Sequence, residues 1–160
     1  MIIQTDYYGE VEYSEEDLIH FPDGIFGFQD LKYYLPLCID EENDFLTLMQ
    51  STEKQEISFV TIDPFILCPD YSPVLTPEEL SCLKVSDSKE LVYCVICVIR
   101  DNYLENTVNL KCPLVINPQT RTGIQVILEG SSYDFRRKIG SFPGIANPED
   151  RSDGDADSQT

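Results

Sequence analysis

Hydrophobic side chains in this chain recur mostly at every second position, in short runs broken by turn residues or charge clusters. That period of two marks β-strands with one covered face. Ile2 to Tyr13 with a break at Gly9, Tyr33 to Ile39, Phe45 to Gln50 and Ile57 to Ile62 read as short strands because they are separated by turn residues or charge clusters. Val92 to Ile99 does not alternate; it is a continuous β-branched and aromatic run, as expected of a central strand covered on both faces. Val108, Leu110, Cys112, Leu114 and Ile116 then alternate with Asn109, Lys111, Pro113, Val115 and Asn117, which predicts one further strand. Pro113 has no N–H to give a ladder, so it argues for an edge or a bulge there. After the turn-rich Asn117 to Gly123, alternation resumes at Ile124, Val126 and Leu128, predicting a hairpin. One helix start stands out: Thr76-Pro-Glu-Glu79 supplies a cap hydroxyl, proline at the first helical position and a glutamate placed to return the cap bond. The helix should end near Leu83. The pattern as a whole predicts a mainly all-β fold, an antiparallel barrel-like or sandwich domain with one or two short helices.

Between the predicted strands lies Phe21-Pro-Asp-Gly-Ile-Phe-Gly-Phe28, where two glycines and a proline fix a sharp backbone path that carries three aromatic rings. The spacing of Phe26 and Phe28 about Gly27 predicts one ring packed inward and one held outward, unless the turn is simply a packed corner. At the other end of the chain, residues 143–160 are acidic, contain Ser and Gly, and show no periodicity, so they read as a disordered tail after a single domain spanning 1–142.

The 160 residues carry 29 acidic against 11 basic side chains, a formal net charge of -18. Such a chain gains nothing from a phosphate backbone, whose binding rests on cationic neutralisation, so direct nucleic-acid binding is excluded and a basic protein partner is favoured. The start Met1-Ile-Ile-Gln-Thr-Asp6 has no basic segment followed by an apolar one, and no apolar run reaches spanning length, which predicts a cytoplasmic protein with no membrane contact. Cys38, Cys94, Cys97 and Cys112 lie in apolar strand-like runs and read as buried thiols. Cys94 and Cys97, three apart in a strand, point to opposite faces and cannot share a metal ion without a bulge.

Little in the sequence supports catalysis. His20 is the only histidine, set between Ile19 and Phe21, and reads as a tucked structural side chain. Asp23 and Asp63 are a conceivable carboxylate pair, but a chain this acidic offers many such pairs by accident. Asp40-Glu-Glu-Asn-Asp44 lacks the glycine and terminal glutamate of an EF-hand loop, and no phosphate-binding, dinucleotide or zincin motif is present. The reading is therefore of a protein without enzymatic activity, metal or cofactor. A metal- or carbohydrate-binding β module and a carboxylate hydrolase stay open as alternatives.

Taken in order, Thr5-Asp-Tyr-Tyr-Gly-Glu-Val-Glu-Tyr13, Phe21 to Phe28, Leu48-Met-Gln-Ser-Thr52, Phe59-Val-Thr-Ile-Asp-Pro-Phe65, Val108 to Asn117 and Gly123-Ile-Gln-Val-Ile-Leu128 resemble the flagellar assembly factor FliW family over residues 1 to about 140. Met49 stands where a tryptophan or another large residue is common, and the acidic C-terminal extension has no place in the family pattern. The resemblance implies a small β-barrel-like fold and a cytoplasmic protein of flagellated bacteria. It implies two partners, flagellin and the RNA-binding translational repressor CsrA. Sequestering CsrA would relieve repression of flagellin translation, and new flagellin would reclaim the protein. Partner-contacting candidates are Asp23, Phe26 and Phe28 on the rigid turn, Asp63 and Phe65 just beyond a strand end, unless Asp63 only caps a turn there and Phe65 is core, and Asn109 and Asn117 on the strand that Pro113 marks as an edge.

Overall fold

The computed structural model describes residues 1–6, 8–38, 46–98 and 101–142. The predictions for Ile39, the acidic cluster 40–44, Phe45, Ile99 and the segment 143–160 lie outside the described residues. The non-alternating run forms β7 (Val92–Val98), and its two faces explain the missing alternation. Val95 and Cys97 pack in one apolar cluster with Leu67, Leu83, Leu110, Leu128 and Phe142. Cys94 and Ile96 pack in a second one with Phe21, Tyr34, Met49 and Leu114. Each face is covered, so neither needs polar residues.

Before β7 the chain forms β1 (Ile2–Thr5), β2 (Gly9–Glu12), β3 (Ile19–His20), β4 (Tyr33–Cys38), β5 (Leu46–Ser51) and β6 (Ser58–Ile62), then α1 (Pro64–Leu67) and α2 (Pro77–Cys82). After it come β8 (Thr107–Val108), β9 (Leu114–Asn117), β10 (Thr122–Gln125) and β11 (Arg137–Lys138). Strands β3 to β7 pair antiparallel in succession, β7 also pairs with β9, β9 with β10, and β10 runs parallel to β3. Seven strands thus close into a barrel, and its interior is the cluster fed by Ile19, Tyr34, Met49, Phe59, Cys94, Ile96, Leu114 and Ile116. The other cluster lies outside the wall, under α1, α2 and the C-terminal residues. Strands β1 and β2 form a separate hairpin, tied to the rest by a Tyr8 hydroxyl donating to the Cys38 carbonyl and by Gln55 donating to Asp6. β8 and β11 extend the sheet from β7.

One end of the barrel is plugged by the Phe21 to Leu31 segment. Phe21 is fully buried edge-on to Tyr34, with ring centroids 5.5 Å apart, and Ile25 and Leu31 are buried beside it. Gly24 allows this turn: its φ is +70°, and a Cβ there would stand 2.6 Å from the Gln29 backbone. Gly123 serves the same plug from the opposite wall, since a Cβ there would meet the Phe21 ring at 2.8 Å.

The predicted hairpin is present, with Thr122 facing Asn117 and Gln125 facing Leu114. Its ladder stops at Gln125, although Val126 and Leu128 still bond inward to the Pro113 and Lys111 carbonyls. The single strand predicted over 108–117 is two strands. Between the pairs Cys97–Val108 and Cys94–Leu114, β7 advances three residues while the facing chain advances six. The extra residues form a bulge held by the Asp134 carbonyl, which accepts from the Leu110 and Lys111 N–H groups, and by the Tyr71 hydroxyl donating to the Leu110 carbonyl at 2.6 Å. Pro113 sits in that bulge. The edge reading is overturned, because β9 is paired on both sides.

The capping box at Thr76 forms as predicted: Thr76 Oγ1 accepts from the Glu79 N–H and Glu79 Oε1 from the Thr76 N–H. Helix α1 was missed, because Asp63-Pro64 read as the end of a strand when it is also an N-cap followed by a first-turn proline. Cys97 and Cys112 are buried and Cys94 half-buried, whereas Cys38, at the last position of β4, is exposed. Burial pushes the Cys94 thiol up to about 12 against an ordinary 9.0, with Thr61 hydrogen bonding pulling it back and Asp63 adding to the rise. Burial alone lifts Cys97 to about 11.

Two outcomes follow for stability. Gly24→Ala should lose more than about 2 kcal/mol in urea unfolding, while Gly27→Ala, at φ +87° with open space around it, should lose about 1 kcal/mol. Equal losses would mean that the close approach to Gln29 is not what demands glycine. Cys94 and Cys97 ionise more readily unfolded than folded, so their contribution is complete below pH 9 and lost as pH rises toward 11 and 12. The urea midpoint should fall over that interval, and fall less steeply in a Cys94→Ala, Cys97→Ala variant; parallel slopes would assign the fall to other groups.

Candidate protein-binding surface

Among the exposed apolar side chains, Phe26 and Phe28 stand at one end of the barrel and Phe65, Ile66 and Val92 at the other. At the plugged end the backbone turns back at Ile25 and Phe28, which form an isolated bridge, and the Phe28 N–H donates to the Ile25 carbonyl at 2.7 Å. The Phe26 N–H donates to Gln125 Oε1 at 2.8 Å, and Gln125 Nε2 in turn donates to the Cys112 carbonyl. A single side chain therefore clamps the turn to the bulge. Phe28 rests edge-on against Phe59 at 5.2 Å and is 36% exposed; Phe26 meets no other ring among the described residues and is 45% exposed. Asp23 is exposed on the same turn. Asp23, Phe26 and Phe28 are thus presented together on a rigid support.

At the other end, Ile62 faces Leu46 at the close of the β5–β6 ladder and the chain enters α1. Asp63 caps that helix, its Oδ1 accepting from the Phe65 N–H at 2.9 Å. Phe65 lies edge-on to Tyr71 and Tyr93 with its ring still 39% exposed, and Ile66 and Val92 are more open still. Asp63, Ile66, Val92, Tyr93 and Cys94 line a cleft of about 230 Å³. It shares Thr47, Thr61, Val92 and Cys94 with an apolar cavity of about 240 Å³ that opens into the barrel beside Met49 and Ile116.

The two asparagines are differently placed. Asn117 is buried: its Nδ2 donates to the Leu83 carbonyl at 2.7 Å and its Oδ1 accepts from the Gln119 N–H. Asn109 Oδ1 accepts from the Cys112 N–H and shapes the bulge. The structure therefore brings Asp23, Phe26 and Phe28 together, sets Asp63 and Phe65 at the opposite end, and commits Asn109 and Asn117 to internal hydrogen bonds. Ile66 and Val92 are exposed apolar positions that the sequence did not single out. Val92 opens a strand and Ile66 lies in α1, and no local pattern shows that the two would meet at an open mouth.

His20 is half-buried, its ring stacked on Tyr33 at 4.7 Å, with no serine or cysteine hydrogen-bonded to it among the described residues. Among the described residues, no group of three or more His, Cys, Asp or Glu side chains is arranged to hold a metal ion. No helix there is long and apolar enough to cross a membrane.

The architecture and sequence both have relatives. A crystal structure of the flagellar assembly factor FliW superposes with a TM-score of 0.82 at 31% identity, covering 89% of this chain and 98% of that one. Flagellar assembly factors FliW from Clostridium tetani and Syntrophus aciditrophicus are 34% and 39% identical over 139 residues, which is 87% of this chain and 95% and 87% of theirs. The relative from Caldanaerobacter subterraneus is 37% identical over the same length. The model of the FliW protein family matches residues 2–139, the barrel and the elements packed on it. With sequence, fold and coverage in agreement, this chain belongs to the family of the flagellar assembly factor FliW.

Proposed function

We propose that this protein is a cytoplasmic, non-catalytic regulator of flagellar assembly that binds both flagellin and the translational repressor CsrA. Bound to CsrA it relieves repression of flagellin translation; bound to flagellin it releases CsrA. The observation that carries this reading is family membership across nearly the whole barrel. Two physical features support it. The charge of -18 suits a partner that must itself present basic surface to RNA. The rigid turn offers Phe26 as an aromatic anchor at low entropic cost, which suits an amphipathic helical partner such as a flagellin terminus. Asp23, Phe26 and Phe28 are the flagellin-facing choice. Asp63 and Phe65 belong to the second end of the same molecule.

The flagellin arm is tested with two substitutions measured for affinity and stability. Phe26→Ala should weaken flagellin binding by about 2 kcal/mol or more with an unchanged unfolding midpoint. Phe28→Ala should also cost stability, because its ring packs on Phe59. Unaltered flagellin affinity in both variants would move the anchor elsewhere. For CsrA, raising ionic strength to about 1 M, where the Debye length is ~3 Å, should slow association far more than it speeds dissociation. An association rate indifferent to salt would remove electrostatic steering from the mechanism.

A further inference from the structure

We propose that the open end of the barrel is a docking groove for a polypeptide segment that places one apolar side chain between basic ones. The inference rests on the reading above that a basic protein is the partner, and adds where and how such a segment is held. Its centre is the apolar cavity of about 240 Å³, whose walls include Met49, Cys94 and Ile116. Two of the polar side chains in those walls are already engaged. Thr61 Oγ1 donates to the Thr47 carbonyl at 2.9 Å, and the Cys94 thiol shares a hydrogen bond with Thr61. What the cavity shows to an entering group is therefore mostly carbon, and it selects an apolar side chain.

Both flanks are anionic. On one side the cavity joins the cleft bordered by Asp63, whose carboxylate is close enough to raise the Cys94 thiol. On the other it adjoins, across Arg121, an open hollow of about 450 Å³ lined by Glu15, Glu16 and the stacked pair His20 and Tyr33. Arg121 lines both spaces and keeps its charge there, with its Nε and Nη2 held by the Leu18 and Asp17 carbonyls at 3.1 and 2.8 Å, so the basic side chains of the segment are placed toward Glu15, Glu16 and Asp63 and away from it. None of the three carboxylates forms an ion pair with a described residue. The flat His20–Tyr33 stack gives a guanidinium or ammonium stem a surface to lie on. A second copy of the chain is a poor occupant, since it brings the same charge of -18.

The probe is a short acetylated and amidated peptide with a central leucine flanked by lysines, titrated into the ¹⁵N-labelled full chain at low salt. Amide shifts should concentrate at Thr61, Val92, Cys94 and Ile116. A peptide with glycine for the leucine, and another with glutamates for the lysines, should each bind at least about tenfold more weakly. Val92→Lys and Glu15→Lys, at opposite flanks, should each weaken the lysine peptide by a similar factor with unchanged unfolding midpoints. Should Val92→Lys fail to fold, Glu15→Lys on its exposed turn decides. Shifts elsewhere, equal binding of the glutamate peptide, or indifference to the variants would overturn the groove. Peptide binding without any complex with flagellin or CsrA would leave the groove standing and sink the proposed function; full partner affinity in both variants, with peptide binding insensitive to them, would do the reverse.

Discussion

Pairing of β7 along both of its flanks is the constraint on which the rest of the molecule depends. One flank carries β6; the other carries β8 and β9 in turn, with the bulge between them. The β9 contact is what turns an open sheet into a barrel. Closure creates an inside and an outside at one strand, so Cys94 and Ile96 serve one apolar cluster while Val95 and Cys97 serve the other. A polar side chain at any of these positions would be desolvated on whichever face it pointed to. This also keeps the thiols neutral and apart, as two small hydrophobes on opposite sides of a wall.

The bulge between β8 and β9 links closure to the surface. Its Asn109 N–H still donates to the Ile96 carbonyl of β7, and the chain satisfies other backbone groups of the bulge with Tyr71, Asp134, Asn109 and Gln125. Gln125 spends one amide atom on the bulge and the other on the Phe26 N–H. The position of an exposed ring is thereby set by a buried irregularity in the barrel wall. Rigidity at Phe26 comes from this connection as much as from the glycines beside it.

Short apolar runs between turn residues, with period-two alternation in the last two, made most of the barrel strands legible, and the Thr76 box made α2 legible, because each depends on neighbours in sequence. What escaped depends on partners far away. The break after Val108 is stabilised by groups at Tyr71, Gln125 and Asp134, none of which a local pattern couples to it. Asn117 read as an accessible strand position, yet it is buried because the Leu83 carbonyl, the C-cap of α2, needs its amide. Asp63-Pro64 ended a strand and began a helix with the same two residues, and alternation records only the first event. In the 21–28 turn the glycines announced the backbone path, but neither ring is packed inward: both stay exposed, and Phe28 differs from Phe26 only in leaning edge-on against Phe59.

A switch between two protein partners needs either overlapping footprints or an element with two stable arrangements. The described barrel is poor in the second. Opening any of its joints breaks a ladder, and the joint with fewest pairs, Thr122 against His20, is reinforced by the His20 N–H donating to the Arg121 carbonyl and by Arg121 reaching back to Leu18 and Asp17. Arg121 adopts φ +55° to do this, a strained conformation that only the surrounding bonds hold in place. Moving that corner would release strain but also uncouple β3 from β10 and open the barrel. Competition through charge asks for no such rearrangement. In a chain this acidic, a basic partner bound at one end changes the field felt at the other within a Debye length or two. Exclusion through the field between the two ends is therefore the physically cheaper route for a barrel built to stay closed.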